Sequence, residues 1–146
     1  MSALLALDTD AAMVLGIAST AMPFARSAEA EAERWLRILR LHGEAAIALQ
    51  ALGVSEARLE DASGGMAAER ADPTQTDGRD VVAAVTERAS RIAAERAART
   101  VATNDVLVAV IDVYGADFDR VLRVHGTDRE EVLGRLGVET PASAER

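Results

Sequence analysis

Apolar and polar positions recur in the same order in two stretches of the chain, so that Asn104 lies 71 positions after Glu33 in the second copy. Each copy opens on polar residues, continues as an apolar helix, meets a glycine and closes on a shorter amphipathic helix. The first copy is marked by Trp35, Leu36, Leu39, Gly43, Ala46, Leu49, Leu52 and Gly53, and the second by Val106, Leu107, Val110, Ile111, Gly115, Phe118, Val121, Leu122 and Gly126. Such self-similarity predicts a duplicated helical unit.

Helix-spaced apolar residues and polar caps predict the individual helices. Asp8 or Thr9, Asp80 and Asp128 are candidate caps, and Thr103, Asn104 or Asp105 is expected to cap the helix that starts at Val106. The predicted helices are Asp10 to Met22, Ala28 to Leu41, Ala45 to Leu52, one from Ser55, Val81 to Arg99, Val106 to Tyr114, Asp117 to Val124, and Asp128 to Leu136.

The stretch Val106 to Tyr114 is rich in β-branched residues and also fits a buried strand. The polar cap before it, Gly115 after it and its alignment with the helix around Trp35 favour a helix. An all-round apolar helix is expected at the centre of a bundle.

The predicted fold class is all-α, a pseudo-twofold bundle of about eight helices in one domain over residues 1–146. Repeat one covers about 8–61 and repeat two about 80–138. Turn-forming residues such as Gly64-Gly65 and Asp72-Pro73 indicate a linker over about 62–79, and 139–146 is expected to be a tail.

Composition excludes several classes of partner and site. The net charge is −8 and every one of the 16 basic residues is arginine, interleaved with acids, so nucleic acid is not an expected partner. The absence of cysteine excludes disulfides and thiolate ligands. The apolar run from Ala11 to Ala25 lacks the basic start of an export signal and is too short for a membrane span. A soluble, cytoplasmic protein without membrane contact is expected.

In their repetition these motifs resemble the double-repeat N-terminal domain of the Clp ATPase chaperones, over nearly the whole chain. That family's repeat has an alanine-rich helix, a loop ending Gly-Thr-Glu-His-Leu-Leu, an apolar helix, a Gly-Glu-Gly break and a helix ending near Leu-Gly-Val. Here Glu33-Arg34-Trp35-Leu36, Gly43-Glu44 and Leu52-Gly53-Val54 match in the first copy, and Val101 to Ile111, Tyr114-Gly115-Ala116, Val121-Leu122 and Gly126 match in the second.

The resemblance implies docking of substrates or adaptors on helix surfaces. In some of these chaperones the Glu of each Thr-Glu-His motif binds phosphorylated arginine beside a Thr. Glu33 keeps the acid but follows Ala32, whereas Thr103 keeps the hydroxyl but precedes Asn104. Because an amide cannot form the charge-assisted pair with guanidinium, phosphoarginine binding is expected to be weak or lost. Alternatively, Glu33 and Thr103 are ordinary first-turn helix residues.

Three aromatic residues complete the candidate ligand-binding set of Glu33, Trp35, Thr103, Asn104, Tyr114 and Phe118. Trp35 is either a core anchor between the repeats or a wall of an apolar peptide groove, and the same alternatives apply to Tyr114 and Phe118.

Catalytic signals are sparse. His42 and His125 each precede a glycine and are interpreted as loop residues, although a small metal-dependent enzyme using both stays an alternative. No phosphate-binding loop occurs in the sequence, no serine has a nucleophile motif, and no cofactor is expected.

The leading hypothesis is therefore a non-enzymatic binding protein that acts as an adaptor or a decoy. Its partners would be Clp ATPase or protease components, their substrates and adaptors, or peptide-like small molecules such as peptide antibiotics. The alternative is a dimeric structural or regulatory helical protein with no connection to Clp.

Overall fold

A computed structural model describes residues 5–25, 27–54 and 78–137. Within these ranges the chain forms seven α-helices, one turn of 3-10 helix at Met22–Phe24 and a bridge between two short strands. The elements are β1 (Ala6–Leu7), α1 (Thr9–Ala21), α2 (Ala28–Leu39), α3 (Gly43–Ala51), α4 (Gly78–Glu95), β2 (Thr100–Val101), α5 (Thr103–Tyr114), α6 (Ala116–Val124) and α7 (Arg129–Leu136).

The mainly helical fold class is confirmed, including the stretch that also fitted a strand. Val106 to Tyr114 lies within α5, whose residues 105–111 are all buried. This helix contacts each of the other six described helices, so it forms the centre of the bundle. Asp8 and Asp128 cap α1 and α7 as predicted, because their carboxylates accept hydrogen bonds from Ala11 and Glu131.

Three predicted helix boundaries are wrong. The start of α5 is Thr103 rather than Val106, with Ala102 as its N-cap; Asp105 acts from inside the helix by accepting the backbone N–H of Ala102 at 2.9 Å. Asp80 lies inside α4, which starts at Gly78. That helix also ends at Glu95, because Ala97 adopts a left-handed conformation with φ of 60°.

The chain forms one small piece of sheet that the helical pattern does not predict. Strand β1 pairs in parallel with β2, with Ala6 opposite Thr100 and Leu7 opposite Val101. Two further bonds extend the link: the N–H of Leu5 donates to Ser90 Oγ at 2.8 Å, and the N–H of Asp8 donates to the carbonyl of Val101 at 2.9 Å. The segment before α1 is therefore fastened to α4 and to β2.

Two helices that lie before residue 54 each have the same length as a helix that lies after residue 78. Helices α2 and α5 have 12 residues each, and α3 and α6 have 9 each. Both short helices end with the same backbone hydrogen bond, from Val54 to Leu49 and from Thr127 to Leu122. The predicted helix from Ser55, most of the predicted linker and the predicted tail lie outside the described residues.

Candidate functional site

Helix α2 carries two buried acids that hold the residues on either side of α6. Glu31 and Glu33 are 2% and 8% exposed. Tyr114, the last residue of α5, binds Glu31, and His125, the first residue after α6, binds Glu33. We call these residues, together with Trp35, the acid contact.

On the Tyr114 side, one hydroxyl joins two residues of α2. The Tyr114 hydroxyl donates to Glu31 Oε1 at 2.7 Å and accepts the indole N–H of Trp35 at 3.0 Å. The phenol thereby uses its donor and one acceptor position. Trp35 is completely buried, so this bond satisfies its only polar group.

On the His125 side, an imidazole meets a carboxylate inside the protein. The side chain of His125 is fully buried, and its Nε2 lies 3.1 Å from Glu33 Oε2. Its Nδ1 has no hydrogen-bond partner among the described residues. Because a carboxylate needs a donor, the network assigns a proton to Nε2.

Burial shifts the titration of Glu31 and Tyr114. It raises the pKa of the Glu31 carboxyl, and the hydrogen bond from Tyr114 lowers that pKa in part. Burial raises the pKa of the Tyr114 phenol as well, and the hydrogen bond to Glu31 adds to that shift, so Tyr114 keeps its proton. The second Glu31 oxygen, Oε2, is buried and finds no hydrogen-bond partner within the described ranges.

A second contact joins the start of α5 to the start of α3. The Thr103 hydroxyl accepts the backbone N–H of Ala45 at 3.1 Å, and the Asn104 amide donates to Glu44 Oε1 at 3.1 Å. Gly43 has φ of +70°, and a Cβ there would lie 2.5 Å from Thr103 Oγ1. The chain therefore needs glycine at this position. We call Gly43, Glu44, Ala45, Thr103 and Asn104 the threonine contact.

The six sequence-predicted ligand-binding residues thus fall into two groups. Glu33, Trp35 and Tyr114 meet in the acid contact, whereas Thr103 and Asn104 belong to the threonine contact. Phe118 is completely buried on α6 and packs in the same core as Trp35. Trp35, Phe118 and Thr103 do not line an open groove, since each is at most 2% exposed.

The described surface offers a different apolar region on α1 and the 3-10 turn after it. No charged residue occurs from Ala11 to Ala25. Within this run Met13, Ile17 and Phe24 are exposed, Phe24 by 71%. The exposed residues of this uncharged face are Ala12, Met13, Gly16, Ile17, Ser19, Thr20, Pro23 and Phe24. Contiguous exposed apolar surface of this kind marks interaction sites.

The described residues also form a polar cavity. A cavity of about 350 Å³ between α6 and α7 is lined by Asp119, Arg123, Asp128, Arg129 and Glu130. These side chains already pair in part, because Arg129 Nε lies 3.4 Å from Asp119 Oδ1. Within residues 5–25, 27–54 and 78–137, no three His, Asp or Glu side chains are grouped as metal ligands.

Comparisons with protein-family models, with curated proteins and with solved structures give no match. The function of the chain must therefore be argued from its own residues. Among the described helices, none combines the length and the apolar character that crossing a bilayer requires.

Sequence reasoning missed Glu31 and the role of His125. It assigned no role to Glu31 and interpreted His125 as a loop residue. His125 does lie in a turn, but it is buried against Glu33. A usable signal was present, since Glu31 lies four positions before Trp35 and Glu33 three positions before Leu36, which places both acids beside apolar residues on the helix surface.

Proposed function

We propose that this chain is a non-enzymatic protein-binding module of the kind found at the N-terminus of Clp chaperones, acting as an adaptor or a decoy. The observation that carries the proposal is the uncharged face of α1 in a chain with net charge −8. Its occupant is an apolar segment of a protein partner, such as a peptide that also docks on Clp N-terminal domains.

The composition of the face supports this occupant. Ala12, Gly16 and Thr20 are exposed and spaced four residues apart, so a partner backbone can approach α1 closely between the larger side chains. Met13 and Phe24 supply apolar anchors at either end of the face. Methionine and aromatic side chains are enriched in protein interfaces.

The matching lengths of α2 with α5 and of α3 with α6 support the duplicated arrangement that the Clp resemblance implies. In addition, Thr103 at the start of α5 binds the start of α3, and Glu33 of α2 binds His125 at the end of α6. Two reciprocal contacts are what a pseudo-twofold duplication would produce.

The test is calorimetric titration of the protein with a purified Clp ATPase and, separately, with peptides that bind Clp N-terminal domains. Binding with a Kd at or below tens of micromolar is expected, and Ile17→Glu should weaken it at least tenfold by placing a charge on the face. Ile47→Glu is the matched control, because Ile47 is 69% exposed on α3 and should tolerate the same change. Equal loss in both variants, or no binding by the parent protein, would reject the proposal.

A dimeric regulatory protein is the second candidate. It is favoured by the small exposed residues Ala12, Gly16 and Thr20 of α1. Two acidic copies repel each other, and an uncharged face is where they can approach. Sedimentation equilibrium tests the second candidate: a dimer that Ile17→Glu converts to monomer supports it, whereas a monomeric parent protein rejects it.

A further inference from the structure

We propose that the partner of the uncharged face is a basic amphipathic segment, whose apolar side chains cover Met13 and Ile17 while its cation lies beside Asp10. Such a partner presupposes the docking proposed above and has, in addition, a defined charge. The exposed residues of α1 and the charges around its first turn both favour it.

Asp10, Met13 and Ile17 form one line on the surface of α1. All three are exposed, and their spacing of three and four residues places them on the same side of the helix. One turn of helix advances about 5 Å, so Asp10 lies about one turn from Met13 and about two turns from Ile17. Since residues 11–25 carry no charge, the line has an acid at one end and uncharged side chains beyond it.

The Asp10 end of this line has acidic surroundings. The Cβ of Asp10 lies 3.2 Å from the place that a Cβ on Gly43 would take, and Gly43 precedes the exposed acid Glu44. Arg96 is close enough to interact with Glu44, but its guanidinium is already held by two hydrogen bonds to Asp105. Among the described residues, the Asp10 carboxylate has no hydrogen-bond or ion-pair partner. A cation supplied from outside would therefore find an unpaired acid here.

The charge of the whole chain acts in the same direction. A net charge of −8 repels acidic partners and attracts basic ones. A partner that covers Met13 also removes part of the water around Asp10, and a cation replaces the interactions that this water provides. A second copy of the chain supplies no such cation from its own uncharged face, because its residues 11–25 carry none.

Calorimetric titration of the whole protein with helical peptides of about 15 residues tests the proposal. Each alanine-rich peptide has two leucines four residues apart, and one turn before the first leucine it carries arginine, glutamine or glutamate. The arginine peptide should bind at least about threefold more tightly than the glutamine peptide, and the glutamate peptide should bind most weakly. Raising the salt concentration should reduce this preference. An isomer with its arginine on the opposite side of the peptide helix should bind like the glutamine peptide.

Two variants of the protein show whether Asp10 is the contact. Asp10→Arg should abolish the preference for the arginine peptide. Glu130→Arg is the matched control, because Glu130 is an exposed acid in the first turn of α7 and its replacement changes the net charge equally. This control should keep the preference.

The outcomes separate this inference from the docking on which it rests. If all peptides bind equally, or if the two variants behave alike, the charge of the partner is not read at Asp10, and docking on the uncharged face stands without it. If no peptide binds, or if sedimentation shows that a second copy already covers the face, both proposals are overturned.

Discussion

The threonine contact and the acid contact perform the same task with different chemistry. In the threonine contact the start of α5 binds α3, and in the acid contact α2 binds the residues on either side of α6. The threonine contact uses a hydroxyl, a backbone N–H and a glycine that allows close approach. The acid contact uses two carboxyls, a phenol and an imidazole, all largely withdrawn from water.

The difference shows which of the two contacts can respond to solution conditions. The buried Thr103–Ala45 hydrogen bond and the fit around Gly43 contain no titratable group, and Glu44 of the same contact is exposed, whereas the buried titratable groups of the acid contact link folding to protonation. We therefore expect the acid contact to make stability depend on pH, and the buried part of the threonine contact not to. Substitutions at each contact test this distinction.

The largest effect is expected from Gly43→Ala at the threonine contact. The new Cβ would combine left-handed strain with a clash against Thr103, which together should lower the free energy of unfolding by about 2–4 kcal/mol. Urea denaturation measures the change. Gly16→Ala is the control, because a Cβ there meets nothing within 4 Å and α1 should gain about 0.5–1 kcal/mol. Equal effects at both glycines would show that Gly43 is not a close-approach position.

Thr103→Val should cost about 1–3 kcal/mol, because the N–H of Ala45 loses its buried acceptor. The loss should be the same at every pH at which the protein folds. Thr103→Ser keeps the hydroxyl and should retain most of the stability. If the serine and valine variants are equally unstable, packing of the Thr methyl group holds α3 instead.

Tyr114→Phe should cost about 1–2 kcal/mol at pH values below the ordinary pKa of a glutamate and more at higher pH. The folded pKa of Glu31 lies above its unfolded value, so the stability this group contributes is complete below the unfolded pKa and is lost as pH rises through the folded one. Without the Tyr114 bond, that pKa rises further and the loss with pH grows. Unfolding curves at several pH values measure it, and adding Glu31→Gln should remove the extra pH dependence. A pH-independent cost would contradict the role of Glu31.

The smallest effect is expected in the turn between α4 and β2. Ala97 adopts φ of 60° after α4, a conformation that glycine accepts more readily. Ala97→Gly should therefore stabilise the protein by about 0.5–1 kcal/mol. Ala84→Gly, at an exposed position inside α4, should destabilise it by a similar amount. Thermal denaturation measures both, and a loss at Ala97 would be the contrary result.

Local chemistry explains which parts of the fold were predictable. Asp8 and Asp128 cap their own helices, and the acceptor and donor lie three residues apart, so the sequence contains the whole interaction. The α5 helix was predictable from its flanking residues. The pairing of β1 with β2 was not, because its partners lie 94 positions apart and each strand has only two residues.

The candidate site was less predictable for the same reason. Thr103 looks like a cap from its neighbours, but its hydroxyl serves Ala45 of another helix. His125 looks like a loop residue, but its partner Glu33 lies 92 positions away. Tertiary packing decides such partners, and no local pattern encodes it. The sequence identified Glu33, Trp35 and Tyr114 as special residues without showing that they meet.

The parallel bridge between β1 and β2 has a consequence for how the protein is made. Among the described residues, the long-range hydrogen bonds of residues 5–8 go to Ser90 and to residues 100–101, so this segment cannot be fastened until those residues have been synthesised. Contacts between such distant segments slow the folding of a helical protein relative to bundles with neighbouring contacts. During synthesis, the segment that precedes α1 would therefore gain its fixed position late.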